Sequence, residues 1–355
     1  MNLLLDFDQD VFQYCLHDGG CAVKEGVERK LEQLKKKVCQ LRQDHKITAV
    51  VYRISDGGIG IEKSVVARTD LLAGYVGDSP CFGLPHDAAM KEVMHFLQER
   101  LADSRHYIVC DSAFFISLPK FAGAYAIPVE YMNDGLVKYG RNGLVHESAL
   151  KNLLALKGVI PARVITVFLN DSTDVVALRD GVPVMSSHGF SELDGIMSRT
   201  GCGNIDTSIV FQLFADGYSS ESIYQVLSRE SGFQALLGEK AGLQQLLARE
   251  DVPARQARDI FAYQLLKMIG AAAAALEGVD TVVFIGNDAH EIRHWVYDFL
   301  REFEFLGLKP KEAGGVGGEL LTQEGLAVEA YYFKYDKWLL MSDLAVEQVS
   351  LSALS

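Results

Sequence analysis

The order of strands and helices is the same in the two halves of the chain, and this repetition restricts the fold more than any other feature. Each half opens with apolar, β-branched runs that predict a hairpin, continues through helices, and returns to further buried strands. The first half contains MNLLLDF, VFQYCLHD, ITAVVYRI and HYIVCD, and the second contains RVITVFL, VVALRDGVPV, DTVVFIG and AVEAYYFKY. Strands that alternate with helices are typical of α/β folds. The pattern predicts two α/β domains, residues 1–158 and 159–355.

Two such domains side by side would flank a central cleft, and α/β folds bind ligands in clefts at the ends of their strands. The last helix, WLLMSDLAVEQV, is expected either within the second domain or packed back on the first. Other helices are predicted where apolar residues recur at helical spacing. They cover residues 26–42, 90–102, 147–157, 209–215, 220–229, 242–249, 254–277 and 290–306.

Composition excludes several classes of function. The net charge of −13 argues against a nucleic-acid partner, because phosphate backbones are bound by basic stripes. The six cysteines form no CxxC pair, which argues against a zinc site or a disulfide framework. No long apolar run predicts a membrane span, and the early acidic residues of MNLLLDFDQD are unlike a signal peptide. We therefore expect a cytoplasmic protein without nucleic-acid or membrane partners.

Several motifs, in one order along nearly the whole chain, resemble those of the acetate kinase family. CDSAFFISLP followed by AYAIPVEYMNDGLVKYGRNGLVH is similar to the family's F-D-T-A-F-H-x-T-M-P and Y-G-F-H-G-T-S-H segments. VVALRDGVPVMSSHGFSELDGIMSRTGCGNIDTSI, RESGFQALLGE and DIFAYQLLKMIGAAAAALEGVDTVVFIG follow with matching spacing. The chain is identified as a divergent member of this family of actin-like ATPases.

The resemblance implies two actin-like (ribonuclease H-like, ASKHA) domains that transfer the γ-phosphate of ATP to acetate, propionate or butyrate. It also implies Mg²⁺, two Gly/Ser-rich phosphate turns, arginines that hold the carboxylate and the phosphoryl group, a histidine that stabilises the transition state, and a homodimer. Such a site is physically reasonable because phosphoryl transfer depends mainly on positioning and on neutralising the charge of the moving group.

The first phosphate turn departs from the family pattern. The family's N-C-G-S-S-S-L-K corresponds to Asp6–Gln13, which places Asp8 and Asp10 where backbone N–H groups would cradle phosphate. Two carboxylates there would repel phosphate. By resemblance Asp6 could hold Mg²⁺ through water, whereas the alternative is a solvated turn carboxylate.

The nucleotide-binding segments have changed in the same direction. The second phosphate turn, H-L-G-N-G in the family, corresponds to Phe168–Ser172, so Asn170, Asp171 and Ser172 are the candidate nucleotide contacts. The adenosine-side loop corresponds to Gly286–His290, with Gly286 and Asn287 as candidates. The metal-associated N-E-E becomes Asp336-Lys337-Trp338.

The residues that would act on the transferred group are also altered. Asn142 occupies the position of the transition-state histidine and cannot carry positive charge. Loss of a charged donor of this kind typically lowers a rate by about 10² to 10³. The family's catalytic arginine falls on Gly201, and Arg199 lies two residues earlier. Arg141 and Arg199 are therefore the candidate substitutes.

A few residues match the family pattern. Arg53 matches the arginine that would hold the substrate carboxylate, with a surface ion pair to Asp56 as the alternative. Asp111 matches the catalytic acid, with a turn cap as the alternative. His86 lies within one residue of a substrate-site histidine, and His146 matches the second histidine of F-H-G-T-S-H.

Three functions are compatible with these residues. The first is a binding or regulatory homologue with lost or strongly reduced ATP:carboxylate phosphotransferase activity. The second is an active short-chain carboxylate kinase that uses Mg²⁺ and ATP, with Arg199 and Arg141 as relocated cations. The third is a metal-binding enzyme that is not a kinase and uses Asp6, Asp8, Asp111 and Asp171. The ligand would be a small carboxylate or a nucleotide in the first two cases.

Overall fold

Two β-sheets with the same strand order organise the protein. The computed structural model describes residues 1–8, 11–54, 65–66, 85–311 and 319–352, and their side chains except those of residues 8, 65–66, 85–91 and 347–352. In each sheet the first strand lies centrally, with an antiparallel meander on one side and two strands parallel to it on the other, and the first sheet has one further antiparallel edge strand. The repeated plan predicted from the sequence is confirmed.

The first sheet has the order β3-β2-β1-β4-β6-β5. Strands β1, β2 and β3 are antiparallel neighbours, β1, β4 and β6 run parallel, and β5 is antiparallel to β6. The strands are β1 (Asn2–Asp8), β2 (Val11–His17), β3 (Ala22–Glu28), β4 (Ala49–Ile54), β5 (Val65–Val66) and β6 (Arg105–Cys110).

The second sheet has the order β11-β10-β7-β8-β9. Strands β7, β8 and β9 form the antiparallel meander, while β10 runs parallel to both β7 and β11. The strands are β7 (Arg163–Leu169), β8 (Asp174–Arg179), β9 (Val182–Ser186), β10 (Thr281–Gly286) and β11 (Glu329–Lys334).

The longer helices lie near the predicted ranges, whereas the short helices at 120–123, 129–133 and 232–237 were not predicted, and 3₁₀ turns occur at Ser112–Phe115 and Leu300–Leu306. The α-helices are α1 (Leu31–Asp44), α2 (Pro85–Arg100), α3 (Lys120–Gly123), α4 (Val129–Asn133), α5 (Gly143–Lys157), α6 (Ser208–Ala215), α7 (Ser220–Arg229), α8 (Gly232–Leu237), α9 (Leu243–Ala248), α10 (Val252–Leu276), α11 (His290–Phe299) and α12 (Lys337–Ser352).

The chain divides into two compact units. Unit 1 comprises Met1–Ile116, Ala126–Leu144 and Asp336–Ser355, and unit 2 comprises Ser117–Tyr125 and Val145–Tyr335. The division therefore falls after Leu144, within α5, rather than after residue 158 as the sequence predicted. Helix α12 belongs to unit 1.

Unit 1 has helices on both faces of its sheet. One face packs alternate apolar residues of β1, β2 and β4 against α1 and α2, in a core that includes Leu5, Tyr52, Val38 and Leu97. Helix α12 contacts strands β1, β2, β4 and β6. The predicted helix at 26–42 begins later, at Leu31, because the preceding residues form β3. That strand is mostly exposed, and its polar alternation lacks the apolar face from which a strand is recognised.

Unit 2 is built around α10, whose residues Phe261, Leu265 and Ile269 are buried against the second sheet. This helix is long and apolar enough to cross a membrane, a test that core helices of soluble proteins also meet. Helix α6 is different, because none of its residues is buried although Ile209, Phe211 and Phe214 are apolar. It leaves an exposed apolar surface on unit 2.

Candidate functional site

A row of polar side chains lies at the carboxyl edge of the first sheet. Asp6 on β1 pairs with Gln13 on β2, and Arg53 on β4 lies one residue beyond the Leu5–Tyr52 register pair. Asp111 directly follows β6. Because β1, β4 and β6 are parallel, their carboxyl ends meet at one edge, which is where α/β sheets present functional groups.

Arg53 lies between two carboxylates. Its Nη2 donates to Asp111 Oδ2 at 2.7 Å, and its Nη1 donates to Asp6 Oδ2 at 3.3 Å. A longer contact of 3.5 Å joins Nη2 to the side-chain oxygen of Asn142. The Arg53 side chain is 12% exposed and that of Asp111 is 0% exposed. These are partly buried, charge-assisted interactions rather than a surface ion pair, and the alternative partner Asp56 lies outside the described residues.

A second cation reaches the same carboxylate from the last helix. Lys337, the first residue of α12, donates from Nζ to Asp6 Oδ2 at 2.7 Å and also to Gln13 Oε1. The Asp6 side chain is 5% exposed and that of Lys337 is 20% exposed. Sequence reasoning did not connect these residues. The available signal was that the two positions depart from the family pattern with opposite charge, Asn to Asp at one and Glu to Lys at the other.

The pKa values of Asp6 and Asp111 are shifted in opposite directions. Burial alone would raise the pKa of Asp6, but the Arg53 guanidinium and the Lys337 ammonium together outweigh it and lower that pKa. Burial raises the pKa of Asp111, although Arg53 and the Leu144 N–H oppose the shift. Asp6 is therefore the firmly ionised member of the pair.

Charges balance within the cluster formed by Asp6, Arg53, Asp111 and Lys337. Asp6 and Asp111 supply two negative charges when ionised, and Arg53 and Lys337 supply two positive charges. A divalent cation at Asp6 would lie beside both of these cations, and unit charges about 4 Å apart repel by about 4 kcal/mol near a protein surface. No group of three potential metal ligands occurs among the described residues. The described residues around Asp6 therefore do not fit the Mg²⁺ that the resemblance implies.

The stretch KYGRNGLVH places its glycines where the backbone passes close to the turn after β6. A Cβ on Gly140 would lie 2.4 Å from the Phe115 ring, and one on Gly143 would lie 2.1 Å from the Asp111 carbonyl oxygen. Asn142 has a φ of +54°, a conformation that asparagine tolerates. Asn142 is buried beside Arg53, and Arg141 is half-buried. Close packing explains the glycines.

Asp111 also holds the first turn of α5. Its Oδ1 accepts a hydrogen bond from the Leu144 backbone N–H at 3.2 Å. The carboxylate thus joins a helix start to Arg53, which combines the catalytic candidate and the capping alternative in one residue. This contact fixes the end of the 140–143 stretch against β6.

In unit 2 the Asp171 side chain, in the segment that matches the second phosphate turn, binds groups of the protein itself. Asp171 Oδ1 accepts from the Leu243 N–H at 2.8 Å, and its Oδ2 pairs with Arg199 Nη1 at 3.4 Å. The Arg199 N–H also donates to the Asp171 carbonyl at 2.7 Å. Asn170 is exposed and Ser172 is half-buried. The Asp171 carboxylate therefore occupies both the Leu243 N–H group and the Arg199 guanidinium.

The adenosine-side candidates have local structural roles. Gly286 ends β10, where a Cβ would lie 2.5 Å from the Leu169 carbonyl oxygen. The Asn287 side chain accepts from the Ala289 N–H at 3.1 Å, just before α11, and its carbonyl accepts from the Tyr332 hydroxyl. These contacts account for both residues without a nucleotide.

The structure describes the side chain of His146 but not that of His86. His146 is fully buried in unit 2, with Nδ1 2.7 Å from Thr166 Oγ1 and Nε2 3.2 Å from Asp174 Oδ2. This network joins α5 to β7 and β8 and is structural. His86 lies in α2, and its side chain is outside the described part of the chain.

Comparison with known proteins places the chain in a family. The model of the acetokinase family matches residues 13–327. The chain belongs to the acetokinase family. An acetate kinase from Thermoanaerobacterium thermosaccharolyticum is 32% identical over 287 residues, which cover 77% of this chain and 70% of that protein. An acetate kinase from Acaryochloris marina is 28% identical over 275 residues, or 77% and 68% of the two chains.

Solved structures confirm the fold of this acetokinase-family chain. An acetate kinase from Entamoeba histolytica superposes with a TM-score of 0.87 at 19% identity, covering 98% of this chain and 99% of the other. A propionate kinase from Francisella tularensis gives a TM-score of 0.83 at 21% identity, covering 96% and 97%. The predicted family and the predicted pair of actin-like domains are both confirmed.

Proposed function

We propose that this acetokinase-family chain has lost, or retains only weakly, the ATP:carboxylate phosphotransferase activity and acts as a binding or regulatory homologue. The observation that supports this most strongly is the contact of Arg53 with Asp6, a carboxylate at a position where the family pattern has asparagine. By resemblance, Arg53 is the residue that would hold the substrate carboxylate. Here its charge is already balanced within the protein.

The charge balance makes an incoming carboxylate unfavourable. A bound acetate would add a third negative charge beside Asp6 and Asp111, and no described cation of the cluster is without a carboxylate partner. Phosphoryl transfer requires the opposite, a surplus of positive charge around the moving group. The cluster therefore favours a weakly binding or inactive site over an efficient one.

One candidate replacement cation, Arg199, is also paired with a carboxylate. Arg199 is paired with Asp171, and the position of the transition-state histidine is the uncharged Asn142. Loss of one such charged donor lowers catalytic rates by about 10² to 10³. We expect the departures in both units to act together against turnover.

The second candidate is an active short-chain carboxylate kinase that uses ATP and Mg²⁺. Family membership favours it, as does the contact of 2.7 Å between Arg53 and Asp111, the two residues that match the family's substrate arginine and catalytic acid. In this case Arg199 and Arg141 would supply the cations that Gly201 and Asn142 do not.

Trapping of acyl phosphate with hydroxylamine separates the two candidates. The purified chain is incubated with Mg-ATP and acetate, propionate or butyrate, and the acetate kinase of T. thermosaccharolyticum serves as the parallel positive control. We expect hydroxamate formation at least 10²-fold below the control with every substrate. A rate within tenfold of the control with any one substrate would establish the active kinase instead.

We also propose a homodimer formed through unit 2. The support is α6, which exposes Ile209, Phe211 and Phe214 and contributes no buried residue to its own chain. A second copy is the expected partner, since the resemblance implies a dimer. Light scattering after size exclusion measures the mass directly, and a monomer at micromolar concentration would exclude the proposal.

A further inference from the structure

The environment of Asp6 already contains the cations that a buried carboxylate needs. Lys337 Nζ at 2.7 Å and Arg53 Nη1 at 3.3 Å both contact the same oxygen, Oδ2. Lys337 also donates to Gln13, the residue that pairs with Asp6 across the β-ladder. The ammonium is thus held between two neighbouring strands of the sheet rather than at a single point.

Lys337 lies at the N-terminus of α12, a helix of 16 residues of which it is the first. The Asp336 carboxylate, directly before it, accepts hydrogen bonds at 3.1 Å from two backbone N–H groups of the first turn. Cations near a helix N-terminus meet the positive end of the macrodipole, an effect of about 0.3–1 kcal/mol. The carboxylates of Asp336 and Asp6 both offset that penalty. Burial of Leu340, Met341 and Leu344 on α12 then fixes the lysine in place.

We propose that the Lys337 ammonium is an internal cation that takes the place of a divalent metal ion at Asp6, so that unit 1 functions without metal. The inference goes beyond the proposed function, since it concerns the cation and not whether a phosphoryl group is transferred. Ligands of unit 1 would then be bound without metal coordination.

The substitution has chemical consequences. An ammonium group carries one charge and three N–H donors, whereas Mg²⁺ carries two charges and coordinates oxygen atoms in octahedral geometry. The lysine cannot polarise a phosphoryl oxygen as a Lewis acid, and it cannot dissociate. A metal ion brought to Asp6 would have to displace Lys337 from both Asp6 and Gln13 while Arg53 remains nearby.

Binding of Mn²⁺, followed by the electron paramagnetic resonance signal of the free ion, tests the inference without reference to activity. The quantity measured is the Asp6-dependent part of binding, which is the difference between each protein and the same protein carrying Asp6→Asn. The wild type should show no Asp6-dependent binding up to about 1 mM Mn²⁺. Lys337→Glu replaces the ammonium with a carboxylate and should create such binding, at least tenfold tighter than the wild type.

Two further variants make the result decisive. Lys337→Met removes the ammonium while keeping the length of the side chain, and it should also show measurable Asp6-dependent binding if Lys337→Glu does not fold. Lys36→Glu makes the same charge change at an exposed position of α1 and should behave as the wild type. The inference is overturned if the wild type shows Asp6-dependent binding, or if neither folded Lys337 variant gains any.

The outcome is independent of the proposed loss of activity. Hydroxamate formation that continues in EDTA would refute the proposed function and leave the internal cation in place. Hydroxamate formation that requires Mg²⁺, together with Asp6-dependent Mn²⁺ binding in the wild type, would refute both.

Discussion

Removal of the Lys337 ammonium is expected to destabilise unit 1 measurably. In Lys337→Met the buried Asp6 carboxylate keeps only the longer contact to Arg53. Breaking a fully buried ion pair costs about 3–5 kcal/mol, and a single charge-assisted hydrogen bond contributes about 1.5–3 kcal/mol. Because Lys337 is one-fifth exposed and Arg53 remains, we expect the free energy of unfolding to fall by about 2 kcal/mol.

A double-mutant cycle isolates the pair from other effects of the substitutions. Asp6→Asn alone leaves the ammonium beside a neutral amide, while Asp6→Asn with Lys337→Met removes both charges. We expect the double variant to be about 1–2 kcal/mol more stable than the sum of the single effects predicts. The free energy of unfolding is measured by urea titration, and a loss of about 2 kcal/mol corresponds to a fall of about 4–8 °C in Tm for a unit of this size.

The matched control is Lys36→Met, which removes an exposed ammonium from α1 and should change stability by less than about 0.5 kcal/mol. A coupling free energy near zero between Asp6 and Lys337 would show that the contact of 2.7 Å does not stabilise the folded state.

Three more outcomes follow from the geometry. Gly143→Ala should lower the free energy of unfolding by at least about 2 kcal/mol, because its Cβ would lie 2.1 Å from a carbonyl oxygen. Gly270→Ala is the control, since it lies in a helix and its Cβ would have nothing within 4 Å. It should raise the free energy of unfolding by about 0.5–1 kcal/mol in the same urea titration. Phe211→Asp should convert the proposed dimer to a monomer in light scattering, and Phe305→Asp, at a comparably exposed position of 73% against 71%, should not. The pKa of Asp6 is lowered in the folded state, so the ionised carboxylate contributes stability above the ordinary pKa of 3.8 and loses that contribution as pH falls through the folded pKa. The difference in unfolding free energy between wild type and Asp6→Asn should therefore shrink below pH 3.8. A difference that grows there would contradict the direction of the pKa shift.

The strands could be predicted because short, continuous stretches of sequence are enough to recognise them. Buried strands such as RVITVFL and DTVVFIG are continuous β-branched runs, and their alternation with helices fixes the α/β class. Strand β3 could not be found in this way, since it is an exposed strand stabilised by pairing with β2 rather than by burial of its own side chains. The division after Leu144 was also missed, because a continuous helix gives no sign in its sequence that it spans two compact units.

The candidate site was predictable in part for a related reason. Arg53 and Asp111 follow strands that the sequence marks clearly, so their meeting at one sheet edge is a consequence of parallel pairing. The contact between Asp6 and Lys337 joins residues 331 positions apart and depends on how α12 docks. Asp171 was predicted as a candidate nucleotide contact, and the structure gives it partners within the protein in Leu243 and Arg199. Pairings of this kind are set by tertiary packing and have no local pattern.

Calorimetric titration with Mg-ATP measures whether carboxylates within this chain neutralise the cations of the family's site. We expect no saturable heat up to millimolar nucleotide, with or without acetate. Saturable one-to-one binding with a submillimolar Kd, lost when Mg²⁺ is omitted, would contradict it.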